Sequence, residues 1–199
     1  MSWIETYDGG NFDFDHPENS TVRISDIAIS LSRIPRFNGH SLFHYTVAQH
    51  CVLMEKALRK TLPSASPLER LHVLLHDAAE AYIGDMARPL KYRDDMTGYR
   101  KLEKIVTDTI YSKLDVPLPT KEETQLVKEF DDRMLRTEAE ALMTRLKDWR
   151  SVVVLEPLPV PVKSWTERRV NQSFLQAYND AMTDYRSDQL KDANRRNTT

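Results

Sequence analysis

Cysteine is nearly absent: Cys51 is the single one among 199 residues. One thiol excludes an internal disulfide framework and a cysteine-built zinc cage, and it fits a reducing compartment, the cytoplasm. Glycine is scarce too, with five in all, and alternating Val/Ile/Thr runs are few, which argues for helices rather than sheets. No apolar run approaches the roughly 18 residues of a membrane span. The opening MSWIETYDGG has neither a basic n-region nor an apolar h-region, so no secretory signal is expected. Positive charge is not in excess either: 28 Lys and Arg stand against 30 Asp and Glu, a formal net charge of −2. A nucleic-acid polymer usually needs a basic field, so no such partner is expected. Small phosphorylated ligands need only a few local cations and stay open.

What is present reads as one all-α domain over residues 1–185, with a polar tail over 186–199 that should fray. RISDIAISLSRI predicts a first helix over 23–34, stopped by Pro35, and YTVAQHCVLMEKALRK a second over 45–60. Ser66 as N-cap and Pro67 at the first position open a third, running to near Gly84. Further helices are expected over 97–114, over 120–149 behind the capping-box sequence TKEE, and over 166–185. MARPLKYR reads as a basic turn and VVVLEPLPVPVKSW as extended chain.

The polar residues on these helices are oddly placed. In the third helix Leu68, Leu71, Leu75, Ala78, Ala79 and Tyr82 form the apolar stripe, and His76 and Glu80 sit on its shoulder, with Asp77 further round. In the second, Val47, Cys51, Met54 and Leu58 make the stripe and His50 lies beside it. In the long helix Asp131 falls inside the arc of Leu126, Val127, Phe130, Met134 and Leu135, whereas Asp132 faces away. An unpaired buried carboxylate is costly, so Asp131 needs a partner. His72 reads as structural. His50, His76, Asp77 and Asp131 thus offer two imidazoles and two carboxylates from three helices. Their charge of −2 neutralises one divalent ion, and nitrogen and oxygen donors suit Co, Mn, Zn, Fe or Mg.

The stretches SRIPRFNGH, TVAQHCVLM, LLHDAAEAYIGDMARPLK and LVKEFDDRML, in that order, resemble the HD-domain phosphohydrolases. The likeness is greatest to the branch holding bacterial 5′-deoxynucleotidases and the deoxynucleoside triphosphohydrolases of some phages. It implies an HD-type helical bundle with a metal site between helices, His50, His76, Asp77 and Asp131 as metal ligands, and Glu80 as general acid/base. Asp85 is then implied at the leaving oxygen or the ribose, and Arg33 and Lys91 on phosphate. Two residues depart from related patterns: Ile34 stands where some deoxynucleotidases place a sugar-screening Trp, and Ala81 replaces the second acid of guanosine tetraphosphate hydrolases.

The resemblance implies hydrolysis of phosphate from (deoxy)nucleoside 5′-phosphates. Release of tripolyphosphate from a deoxynucleoside triphosphate such as dATP is the alternative enzyme, and a non-catalytic nucleotide- or metal-sensing helical module the alternative class. The expected partners are a small nucleotide and further copies of the chain, as a dimer or larger homo-oligomer, with the apolar VVVLEPLPV a candidate contact. No membrane partner is expected, and the cytoplasm is a host's if the gene is a phage's.

Overall fold

Short local signals decide where the chain turns. In the computed structural model, which describes residues 2–196, strands β1 (Trp3–Glu5) and β2 (Asn11–Asp13) form an antiparallel hairpin with Ile4 opposite Phe12. Helix α1 (Ile24–Leu31) is closed by Ser32, whose hydroxyl donates to the Ala28 carbonyl at 2.6 Å. Thr46 caps α2 (Val47–Thr61) by accepting from the Gln49 N–H. α3 (Pro67–Leu75) begins on the expected Ser66 cap, and Glu69 completes a capping box with it. Short helices α4 (Glu80–Ile83) and α5 (Arg88–Lys91) lead into α6 (Thr97–Lys113). The Thr120–Glu123 capping box opens α7 (Lys121–Leu142), and α8 (Arg150–Val153) and α9 (Glu167–Arg196) complete the chain. Almost everything regular is helical, as the composition implies.

Several boundaries depart from the sequence expectation. The long helix stops at Leu142 rather than Trp149, and part of the supposedly extended VVV segment is the single turn α8. The polar tail is helical through Arg196, so residues 186–196 continue α9; residues 197–199 lie outside the described chain. The third helix does not run unbroken to Gly84. After Leu75 the bonding tightens to i→i+3, with Ala78 N–H donating to Leu75 at 2.9 Å and Glu80 N–H to Asp77 at 3.0 Å, before α4 resumes.

Two apolar clusters share α2. Phe12, Ile27, Leu31, Val47, Cys51, Leu75 and Phe174 belong to one, and Tyr45, Leu53, Met54, Leu58, Phe130 and Met134 to the other. Packed against α3, α9 and α7, α2 is the central helix. Its polar residues Gln49, His50 and Glu55 are buried with the rest, so His50 sits within the interior and not on a half-wet shoulder. Each buried polar group needs a partner. Glu55 takes Arg70 Nε at 2.9 Å, and Arg70 Nη1 reaches Asp184 at 2.9 Å, tying α2, α3 and α9. Among the described residues no helix is long and apolar enough to cross a membrane.

Phe174 is fully enclosed where α9 meets this core. Truncating it, Phe174→Ala, should cost about 3–5 kcal/mol in urea unfolding; a loss below about 1 kcal/mol would show that α9 is not part of the core.

Candidate metal centre

The central helix delivers His50 to a point where the α3–α4 turn and α7 also arrive. Its Nδ1 donates to Glu138 Oε1 at 2.6 Å, since an ionised carboxylate can only accept. That leaves the Nε2 lone pair free, 3.3 Å from His76 Nε2. His76 is set the same way, its Nδ1 donating to the Val73 carbonyl at 2.9 Å. Asp77 Oδ2 lies 3.1 Å from His76 Nε2 and 3.7 Å from His50 Nε2, and Asp131 Oδ1 lies 3.5 Å from His50 Nε2. Donors held about 2.1 Å from one ion stand about 3.0 Å apart at right angles and about 3.4 Å apart at tetrahedral angles. The spacings here, 3.1–3.7 Å, are near that size. The donors of His50, His76 and Asp131 lie within 4.8 Å of one another, and Asp77 joins through His76 in a second such group with Cys51. Two nitrogens facing each other at 3.3 Å cannot both present lone pairs unless positive charge stands between them. The four side chains expected from the sequence are therefore brought together, and their donor set fits a divalent metal ion.

The charges of the cluster act strongly on one another, and a proton on His76 competes with a cation for the same nitrogen. Burial opposes a charge on His76, but Asp77 at its Nε2 outweighs this and raises the imidazole well above the usual histidine value. Burial would also raise Asp77, yet His76, His50 and Arg36 hold it well below the ordinary carboxylate range. Cys51, read as a packing residue, has its sulfur within 4.8 Å of His76 and Asp77 donor atoms; burial pushes the thiol up to about 11, so it stays protonated.

Around these donors stand the other residues singled out by sequence. Glu80 is 6% exposed and one of its oxygens, Oε2, has no hydrogen-bond partner among the described residues. Burial, Asp77 and Asp85 raise it well above the usual carboxylate value. Gly84, at φ +77°, ends α4 in a conformation that disfavours side-chain-bearing residues, and turns the chain into Asp85. Burial raises Asp85, partly offset by Arg36. Lys91 pairs with Glu103 at 2.5 Å and feels the charges of Asp77 and Glu80.

Arg33 stands apart. It pairs with Glu167 at 3.0 Å, lies over the Tyr7 ring, and lines a cavity of about 580 Å³ beneath the N-terminal hairpin with Asp26, Ile34 and Tyr82. The guanidinium that reaches the cluster is Arg36, 3.4 Å from Asp77 and 3.2 Å from Glu138. Neither Arg36 nor Glu138 is among the candidates named from the sequence; seven residues, two turns, separate Glu138 from Asp131 on the same face of α7, and that spacing was the available signal. Arg88 was missed as well: it bridges Asp131 at 2.5 Å and Asp132 at 2.6 Å. Asp132 does not point away from its neighbour's surroundings, being about as exposed as Asp131, but it turns to Arg88 and Lys128 instead of His50.

A family model described as 5′-deoxynucleotidase YfbR-like matches residues 33–194. The chain belongs to the YfbR-like family. Among HD-superfamily proteins this is a phosphohydrolase family, which agrees with the His/Asp cluster. The uncharacterised protein YfdR of Escherichia coli K12 is 37% identical over 159 residues, covering 80% of this chain and 82% of its own. An uncharacterised protein of Rhodobacter capsulatus is 31% identical over 145 residues, covering 71% and 73% respectively. The YfbR-like match begins at residue 33, so the hairpin and α1 precede it.

Coordination of an ion by His76 Nε2 would displace the proton that Asp77 favours there, so metal binding and protonation would compete. Since the His76 pKa is raised, Mn²⁺ affinity should climb as pH rises from 6 to 8, with about one proton released per ion near neutrality. Titration calorimetry in buffers of different ionisation enthalpy measures this, and an affinity flat across that range would contradict it.

Proposed function

We propose that this chain is a metal-dependent 5′-deoxynucleotidase, removing phosphate from deoxynucleoside 5′-monophosphates. The observation that carries the proposal is the convergence of two imidazoles, each with Nδ1 already bonded, and two carboxylates, with the buried Glu80 Oε2 left without a hydrogen-bond partner among the described residues. His50, His76, Asp77 and Asp131 are assigned as ligands of one divalent ion; the metals compatible with this donor set are Co, Mn, Zn, Fe and Mg. When bound, such an ion supplies charge neutralisation on the phosphoryl oxygens and acidifies water.

The chain's own residues do the rest. Water attacks phosphorus, the bond from phosphorus to the ester oxygen breaks, and the products are inorganic phosphate and the nucleoside. Glu80 is assigned as the general acid/base: its carboxylate takes a proton from the attacking water, and burial favours its holding that proton. The proton is then passed on to the departing ester oxygen, which leaves as the nucleoside hydroxyl. Asp85 is assigned to the leaving oxygen or the ribose hydroxyl. Lys91 offers a point charge to phosphate, while Arg33 reaches the substrate only by releasing Glu167. Small-molecule nucleotides are the partners this site suits, and a homodimer or larger assembly and a cytoplasmic setting remain part of the proposal.

The test is a panel of deoxynucleoside mono- and triphosphates with Mn²⁺ or Co²⁺, products separated as phosphate, pyrophosphate or tripolyphosphate. Phosphate from monophosphates is expected. Tripolyphosphate from triphosphates would replace the nucleotidase by a triphosphohydrolase, and no turnover with any divalent ion would favour a sensing module. Asp77→Ala should abolish turnover and Glu80→Gln should lower kcat by about 10²–10⁴-fold, whereas Asp132→Ala should leave most activity. Equal losses at Asp77 and Asp132 would overturn the ligand assignment.

A further inference from the structure

We infer that Arg36 is a positioning residue of the cation site, the brace that fixes His50 and Asp77 relative to each other and so sets how tightly the site holds a divalent ion. The inference rests on the metal-site reading above. One guanidinium spans both sides of the cluster: Nε lies 3.3 Å and Nη2 3.2 Å from Glu138 Oε2, and Nη1 3.4 Å from Asp77 Oδ2. Glu138 in turn receives the His50 Nδ1 proton at 2.6 Å. The chain Asp77–Arg36–Glu138–His50 therefore closes on itself where His50 Nε2 stands 3.7 Å from Asp77 Oδ2. Outer partners of this kind orient metal ligands and tune their basicity.

Arginine is suited to the task in a way lysine is not. Three nitrogens in one plane address two carboxylates at once, whereas an ammonium on a flexible stem offers a single point. Glu138 is fully buried, and its two oxygens divide between His50 at Oε1 and Arg36 at Oε2.

The backbone is shaped around this side chain. Pro35 bridges antiparallel to Thr46, Arg36 N–H donates to the Tyr45 carbonyl at 3.0 Å, and Val47 N–H donates to the Ile34 carbonyl at 3.1 Å. These bonds pin residue 36 to the start of the helix that carries His50. Immediately afterwards Phe37 (φ 57°), Asn38 (φ 51°) and Gly39 (φ 77°) are all left-handed, a conformation that costs a side-chain-bearing residue and that persists where surrounding structure over-determines it. The turn brings the Phe37 ring to 5.6 Å from the Arg36 guanidinium carbon, and Trp149 packs 6.3 Å beyond it. Strained backbone, aromatic cover and two carboxylates all converge on one guanidinium.

Mn²⁺ affinity of the full chain, by calorimetry, tests the inference alongside near-ultraviolet circular dichroism as a check of folding. Arg36→Gln, Arg36→Lys and Glu138→Gln should each weaken binding by about 10–100-fold, and the Arg36→Gln/Glu138→Gln pair should be no weaker than the worse single variant, because both break one chain. Arg36→Lys should keep the fold without restoring affinity. Should the Arg36 variants fail to fold, Glu138→Gln alone carries the test, and wild-type affinity in it would overturn the inference. So would folded Arg36 variants that bind Mn²⁺ normally; if they also raised KM for nucleotide with kcat unchanged, Arg36 would be a substrate contact instead. Weakened Mn²⁺ binding in a protein whose wild type turns over no nucleotide would leave the brace standing and remove only the phosphohydrolase reading.

Discussion

The hydrogen bond from His50 to Glu138 is the constraint on which the site depends. His50 and Glu138 are both completely enclosed and stand 2.6 Å apart. Glu138 could not be buried as a charge without Arg36 and His50 beside it, and His50 could not aim a lone pair outward without an acceptor behind it. The central position of α2, wrapped by α3, α9 and α7, is what takes water away from all three. Burial in this protein therefore does two jobs at once: it supplies the core and it turns a few hydrogen bonds into a rigid aim.

The break between α3 and α4 serves the same end. An unbroken helix would carry His76, Asp77 and Glu80 round its surface at even steps. The tightened turn over residues 76–79 instead lets His76 bond back to Val73 and places Asp77 beside both imidazoles. The segment that precedes the family match supports this from outside. Ser30 of α1 donates to the Ala81 carbonyl at 2.9 Å, and Phe12 of the hairpin sets its ring 4.3 Å from that of Tyr82. Both contacts fall within two residues of Glu80.

Much of this was legible in the sequence, for identifiable reasons. Ser66-Pro67 and TKEE carry their capping chemistry locally, so the starts of α3 and α7 could be read directly. The His50, His76-Asp77 and Asp131 pattern was legible because polar groups on apolar faces are anomalies whatever the fold. What could not be read depends on long-range packing. Periodicity alone cannot tell a helix with one wet face from one buried all round, so His50 looked like a shoulder residue. The hairpin is two three-residue strands, too short to leave an alternating signal. Arg33 and Arg36 differ by three positions after α1, and only the packed structure shows that Arg33 turns to Glu167 and Arg36 to Asp77 and Glu138.

The central claim is that His50, His76, Asp77 and Asp131 share one cation. Anomalous diffraction from crystals of the full chain grown with Mn²⁺ measures this most directly. The account predicts a single strong peak about 2.1 Å from both imidazole Nε2 atoms, with one oxygen of each aspartate in the same shell. A peak elsewhere, or those four side chains turned away from it, would contradict the account.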